Sequence, residues 1–477
     1  MGQNHWTWKG RRITVLGLAR EGTALVRFLV GQGAQVTASD QKSPEALRDA
    51  LSALSGLPVR YCLGGHPSEI LDTDVLFVSP GIPLDAPIMV EARQRGLRLS
   101  SESRLFSRLC PAPIVGVTGS SGKTTTSTLI CRMLEASGRH VHLGGNIGSP
   151  LLERLGQIQP TDVVVAELSS FQLDFFGPAL DAEPRADLGG MLFPPGGWSP
   201  PLAAVLNVTP NHLDRHPTME AYAAAKAKVV RFQSPQDAAV LNWDDAVARA
   251  YSKQCMGRVH FFSLRERVSQ GAYLSGDLLC LSRTGANDAP ICAVSEVRLR
   301  GRHNVANVLA ACAVSALLRV SIQEMADVAR TFAGVEHRLE PVREWQGVWY
   351  YNDSIATSPE RAVAALNSFA EPIVLLVGGR DKHLPWDDWA EVVGRRAAQV
   401  ILFGEAAALI EKALNDLGHG APPVQRACSL ADAVQLAQAL ARPGQVVLFA
   451  PGGTSFDVFR DYEERGRAFK ALVNALS

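Results

Sequence analysis

Short runs of Val, Ile and Leu alternate with amphipathic helical stretches along most of this chain. "RITVLGL" (residues 12–18) reads as a strand, "EGTALVRFLVGQG" as a helix and "QVTASD" as the next strand. Later runs repeat the alternation: "DVLFVSPGIP", "VVVAELSSFQL", "AAVLNVT", "GVWYYND", "PIVLLVGG", "AQVILFG" and "GQVVLFAPGG". Strands apolar on both faces need helices on both faces, so the pattern predicts parallel α/β sheets. At 477 residues the chain is too long for one domain. Two prolines in "SRLCPAP" stand directly before the strand "IVGVT", and a further unit starts at "GVEHRLEPV". These signals predict three units, 1–111, 112–336 and 337–477. "GAYLSGDLLCLSRT" alternates like a half-exposed antiparallel ribbon, and residues 177–201, crowded with Pro and Gly, read as a loop.

Charge and cysteine usage narrow the function classes. Lys+Arg and Asp+Glu both total 47, which gives no basic surface for nucleic acid. The opening "MGQNHWTWKGRR" has no apolar leader segment, and no apolar run approaches the roughly 18 residues that span a bilayer. The eight cysteines are scattered without a CxxC pair, as buried thiols of a reducing compartment would be. The expectation is a cytoplasmic protein without nucleic-acid or membrane partners.

"TGSSGKTT" supplies the strongest chemical signal. It follows a strand and opens a helix, so backbone N–H groups of Gly119, Ser120, Ser121 and Gly122 can converge on an anion. Lys123 would neutralise β- and γ-phosphates, and the hydroxyl of Thr124, with Thr125 behind it, would face Mg²⁺. The longer form of the motif carries glycine where Val117 stands, so this is the shorter TGxxGKT. The plainer alternative is a tight glycine turn with a solvated lysine. Glu167 ends an apolar strand, where an acid is costly unless it meets a cation. "NVTPNHLDRH" puts Asn211, His212 and Asp214 past another strand end, where ligands of α/β sheets gather. Lys226, in "AYAAAKAKVV", reads by composition alone as a surface helix lysine.

Together "TGSSGKTT", "GGNIG", "ELSSFQL", "NVTPNHLDRH", "GRHNVANVLAA", "EHRLE" and "YNDS" resemble the Mur ligase family, the ATP-dependent amino-acid ligases of peptidoglycan synthesis. The resemblance covers essentially the whole chain. Folylpolyglutamate synthases share the phosphate loop but not the N-terminal unit or the other motifs. The resemblance implies a Rossmann-like N-terminal domain, a central P-loop ATPase-like domain with a mostly parallel sheet, and a C-terminal Rossmann-like domain. It implies ligation of glutamate to UDP-N-acetylmuramoyl-L-alanine through an acyl phosphate, with ADP and phosphate released, by a monomer. Thr124 and Glu167 would then hold one Mg²⁺. His212 and a carbamylated Lys226 would hold a second, because an ammonium cannot ligate a metal and a carbamate can. This implication replaces the surface reading of Lys226. Asn304 and Asn307, three apart on one helix, would read adenine, although helix capping is the plainer reading. Asp353 would bind ribose, and Arg338 would reach the ATP phosphates on domain closure.

"GLAREG" after the first strand, with Asp40 ending the second, would alone read as dinucleotide binding, but Ala19 stands at the middle glycine position. The resemblance instead assigns this unit to the uridine diphosphate of the sugar. Arg20, Glu21, Asp40, Ser79 and Gly81 would hold it, while Asn146, Ser169 and Gln172 would face the muramoyl end. For the amino acid it points to Lys382, Thr357, Ser455 and Tyr462. Ile355 stands where the D-glutamate enzymes familiar from this family have a lysine, and Tyr462 where phenylalanine is usual. The C-terminal "SFDVFRDYEERG" keeps the D-glutamate pattern. D-glutamate is the expected substrate; L-glutamate, or an inactive nucleotide-gated binding protein, are the alternatives.

Overall fold

The computed structural model of the protein describes residues 8–177, 197–210, 215–282, 287–299, 301–382 and 384–477. Most of the expected 177–201 loop, together with Asn211, His212 and Asp214, lies outside the described residues. The chain divides into two compact units, Met1–Thr331 and Phe332–Ser477.

Two sheets build the first unit. One has five parallel strands in the spatial order Val59–Leu63, Gln35–Asp40, Arg12–Leu16, Val75–Val78, Leu99–Ser100. The order reverses beside Arg12–Leu16, and at such a point the carboxyl ends of parallel strands open a crevice. The turn after Leu16 and the turn after Val78 meet there. A Cβ on Gly17 would lie 2.8 Å from that of Ser79, so only glycine fits.

Nine strands form the central sheet, in the order Ala289–Ala293, Leu278–Ser282, Gly271–Ser275, Arg258–Ser263, Ala238–Asn242, Leu202–Val205, Ile114–Thr118, Val163–Glu167, Val141–Gly145. The last seven are parallel. Ile114–Thr118 and Val163–Glu167 are buried at every position, as their β-branched sequences require. The ribbon around residues 271–282 is antiparallel, in agreement with its sequence. It is not half-exposed, however. Leu278–Ser282 is buried at all positions but its first, because the apolar helix Arg302–Leu317 covers it.

The second unit carries six strands in the order Glu340–Trp345, Val348–Asn352, Val446–Gly452, Ile373–Gly378, Ala397–Phe403, Val424–Arg426, all parallel except the first. Aliphatic clusters on both faces of this sheet form its core. No helix among the described residues is long and apolar enough to cross a membrane.

Candidate active site

Four neighbouring central strands end at one place and deliver Asn146, Glu167, Gly119 and Asn207 side by side. Gly122, at φ +81°, turns the chain from Thr118 into the helix Lys123–Ala136. A side chain there would be strained and would strike the Asn307 amide, 2.4 Å from a Cβ. Asn207 Oδ1 accepts from Ser121 N at 2.8 Å, and Asn207 Nδ2 donates to Ser121 O at 3.2 Å, which fixes the loop. Ser120 Oγ shares a hydrogen bond with Tyr222 Oη at 3.0 Å. Lys123 Nζ bends over the loop and donates to Gly119 O at 2.9 Å. Thr125 is half-buried in the first helical turn.

Glu167 is 2% exposed. Its Oε2 accepts from Thr124 Oγ1 at 2.8 Å and its Oε1 from Asn146 Nδ2 at 3.0 Å. Among the described residues no ion pair neutralises this carboxylate. A buried carboxylate and a hydroxyl at the head of a phosphate-type loop are the oxygen donors that Mg²⁺ takes, so these residues fit a divalent cation.

Lys226 is 1% exposed, which overturns the surface reading made from composition. Thr218 caps the helix Met219–Arg231, and Tyr222, Ala225, Lys226, Val229 and Val230 form its buried stripe. Lys226 Nζ donates to Gly119 O at 2.9 Å and to Thr118 Oγ1 at 3.4 Å, and lies 4.8 Å from the centre of the Tyr222 ring. Burial pushes its pKa well below 10.5; the Lys123 charge adds to this and the Glu167 carboxylate opposes it. A neutral amine is the form that reacts with CO₂.

Asn304 and Asn307 do lie on one face of a helix, but neither caps it. Asn307 Nδ2 donates to Asn304 Oδ1 at 3.0 Å, and the Asn307 amide lies against the phosphate loop at Gly122.

The N-terminal turn meets the central domain within the same unit. Arg20 Nη1 donates to Gly148 O at 2.9 Å. Ser169 and Gln172 form a capping box, and Gln172 Nε2 donates to Glu21 Oε1 at 2.8 Å. Asp40 accepts from Leu18 N at 2.7 Å and Lys42 N at 2.9 Å, which shapes the "GLAREG" turn. Arg215 donates to the carbonyls of Pro80 (2.9 Å), Gly81 (3.0 Å) and Ile82. Sequence reading did not single out Arg215, although it belongs to the quoted "NHLDRH". It also passed over Glu102, which is buried and accepts from Leu152 N at 3.0 Å. Burial, with the charge of Glu21 adding, raises the Glu102 pKa to about 8; burial raises that of Glu21 to about 7.

In the second unit, Asp353 follows the strand Val348–Asn352 and accepts from Leu339 N at 3.0 Å, and burial lifts its pKa to about 6. Arg338 is close enough to oppose that rise. Thr357 N donates to Ile355 O at 2.8 Å. Ser455 is buried, and Tyr462 opens the helix Tyr462–Asn474, its carbonyl accepting from Ser354 Oγ at 2.8 Å. Lys382 is exposed, and its neighbours Arg380 and Asp381 are engaged elsewhere: Arg380 pairs with Glu405 at 2.8 Å, and Asp381 accepts from Trp386 Nε1 at 3.2 Å. Two arginines missed by sequence reading stand close by, Arg361 and the fully buried Arg465.

Comparison with known proteins matches three family models in chain order. They are the Mur ligase MurD-like N-terminal domain at residues 11–101, the Mur ligase middle domain at 117–186 and 196–315, and the Mur ligase glutamate ligase domain at 337–453. A UDP-N-acetylmuramoylalanine–D-glutamate ligase of Symbiobacterium thermophilum is 44% identical over 469 residues, covering 98% of each chain. One of Acetivibrio thermocellus is 40% identical over 474 residues, covering 98% of this chain and 97% of the relative. Among solved structures, the UDP-N-acetylmuramate–alanine ligase of Thermotoga maritima aligns with a TM-score of 0.54 at 18% identity, over 98% of this chain and 99% of that one. With the phosphate loop, the buried lysine beside it and three consecutive domain matches, the chain belongs to the Mur ligase family.

Proposed function

We propose that this protein joins D-glutamate to UDP-N-acetylmuramoyl-L-alanine at the expense of ATP, in the cytoplasm and as a monomer, with domains at 1–111, 112–336 and 337–477. The substrate carboxylate takes the γ-phosphoryl group of ATP, giving an acyl phosphate and ADP. The glutamate amine, having lost its proton, attacks the acyl carbon; the tetrahedral adduct expels phosphate and leaves the amide. Phosphoryl transfer of this kind asks for alignment and charge neutralisation more than covalent help.

Lys123 and the amides of residues 119–122 meet the phosphates, with Thr125 behind. Thr124 and Glu167 would hold one magnesium ion, and Lys226, as its carbamate, with His212 would hold a second. Bound there, magnesium would supply charge neutralisation at the phosphoryl group and the acceptor carboxylate. Asn304 and Asn307 are assigned to the adenine side of ATP, Asp353 to its ribose and Arg338 to its phosphates. Arg20, Glu21, Asp40, Ser79 and Gly81 serve the uridine diphosphate, and Asn146, Ser169 and Gln172 the muramoyl end. Gln172 and Glu21 act in part through each other, since they are hydrogen-bonded. Lys382, Thr357, Ser455 and Tyr462 serve glutamate.

One observation carries this reading: two lysine amines, one of them buried, meet on the phosphate-loop carbonyl of Gly119, with the Glu167 carboxylate alongside. The relatives named above support the choice of substrates. The test is phosphate release with ATP, UDP-N-acetylmuramoyl-L-alanine and each glutamate enantiomer, with the product checked by mass. The expected result is a UDP-muramoyl dipeptide formed with D-glutamate. No product with either enantiomer overturns the proposal; a preference for L-glutamate overturns the enantiomer.

A further inference from the structure

Three cations, Arg361, Lys382 and Arg465, ring the turn 354–357, and among the described residues none of them is held in an ion pair. Arg465 is fully buried beneath it and donates to Ser354 O at 2.9 Å, Ser354 Oγ at 3.1 Å and Gly453 O at 3.1 Å. Its guanidinium is fixed on neutral oxygens, with the Asp457 carboxylate near enough to favour its charge. Arg361, in the first turn of the helix Pro359–Leu366, donates to Ile355 O at 3.3 Å. That oxygen also accepts from Thr357 N at 2.8 Å, so Arg361 is anchored to the segment that carries Thr357. Lys382 completes the group: although the residue is exposed, partial desolvation of its amine and then the charges of Arg361 and Arg465 lower its pKa. Asp353 is close enough to feel Arg361 but does not pair with it. Among the described residues, neither Arg361 nor Lys382 has an ion-pair partner. Like charges held together without counter-ions cost stability unless an anion offsets them.

From this arrangement we infer that Arg361, with Lys382, seats the carboxylates of the incoming amino acid and supplies the positive charge that Ile355 does not. The inference rests on the ligase reading above and adds a specificity-determining residue to it. A guanidinium differs from a lysine in presenting a planar fork to a carboxylate. Its anchor on Ile355 O leaves further N–H groups for substrate. A dicarboxylic amino acid is therefore favoured over a neutral one by two cations carried on separate segments, residues 355–361 and 382.

The test compares wild type, Arg361→Gln, Arg361→Lys and the double variant Ile355→Lys/Arg361→Gln by steady-state kinetics, with thermal unfolding as a folding control. Glutamine removes the charge and the guanidinium fork while keeping a polar side chain with N–H donors. Arg361→Gln should raise KM for D-glutamate about tenfold, a value kept low because Arg361 is exposed. The KM for ATP should stay unchanged. Arg361→Lys should recover part of the loss, and the double variant should recover most of it by placing a cation at position 355. An Arg361→Gln enzyme with wild-type KM for glutamate overturns the inference and leaves the ligase reading standing. So does a double variant no better than the single one. A wild-type enzyme that joins no glutamate at all overturns both.

Discussion

Lys123 and Lys226 place their amines on a single oxygen, the carbonyl of Gly119, each at 2.9 Å. Burial first, and then the charge of Lys123, lower the pKa of Lys226 well below its ordinary value. On the proposed reading, Lys123 is the charge that faces a phosphate. Lys123→Ala should fold normally and lose about 10²–10³ in kcat. ATP-dependent dipeptide formation beside a thermal unfolding curve checks this. Near-normal turnover would remove Lys123 from phosphoryl transfer.

Lys226 should carry a carbamate near neutral pH. Carbon-13 NMR of protein equilibrated with labelled bicarbonate should give one carbamate resonance that is absent from Lys226→Ala. That variant should be nearly inactive, and a short carboxylic acid should restore part of its turnover whereas bicarbonate should not. Lys226→Ala with full activity would return this lysine to a packing role.

Glu167→Gln removes the charge while keeping an acceptor for Thr124 Oγ1. The magnesium concentration for half-maximal activity should rise at least tenfold, with kcat falling as well, because charge on the oxygen ligands sets divalent affinity. Metal titration followed by calorimetry in the presence of a non-hydrolysable ATP analogue gives a second readout. Unchanged magnesium dependence would place the ion elsewhere.

Glu102 gives the stability of the fold a predictable pH dependence. In the folded protein it keeps its proton to about pH 8, whereas its ordinary value is 4.5. Between those values the unfolded chain binds fewer protons, so stability falls as pH rises. Glu102→Gln abolishes that slope. Its melting temperature should match wild type near pH 4.5 and exceed it by about 3 °C or more at pH 8.5. Equal melting temperatures at both pH values would mean that Glu102 ionises without cost.

The strands and the phosphate loop were legible because their signals are local: β-branched runs, a glycine turn, a lysine at the helix start. Lys226 shows where composition misleads and spacing informs. An alanine-rich helix with two lysines looks solvated, yet Tyr222, Ala225, Lys226, Val229 and Val230 share one helical stripe, so the sequence already places Lys226 inward. Lys228, two residues on, pairs with Asp174 at 2.9 Å instead. The half-exposed reading of the 271–282 ribbon failed because the helix that covers it comes later in the chain. Arg361 and Arg465 were passed over for a related reason. Nothing around Arg361 marks it, and Arg465, although inside the quoted "SFDVFRDYEERG", has no local signal of its own; the fold gathers positions 354, 361, 382 and 465 from four segments. The loss of a lysine at Ile355 was visible in the sequence, whereas the nearby guanidinium was not.

The hold of Arg215 on three successive carbonyls, those of Pro80, Gly81 and Ile82, bears on how this protein could be dissected. One side chain of the central domain registers a turn of the N-terminal sheet, and Arg20 on Gly148 and Gln172 on Glu21 tie the same seam. The peptide at residues 111–113 thus supplies continuity of the chain, while alignment of the two sheets is written into side chains. None of these ties runs through residues 111–113. The first unit is in this respect a pair of modules fastened by a buckle rather than by a string.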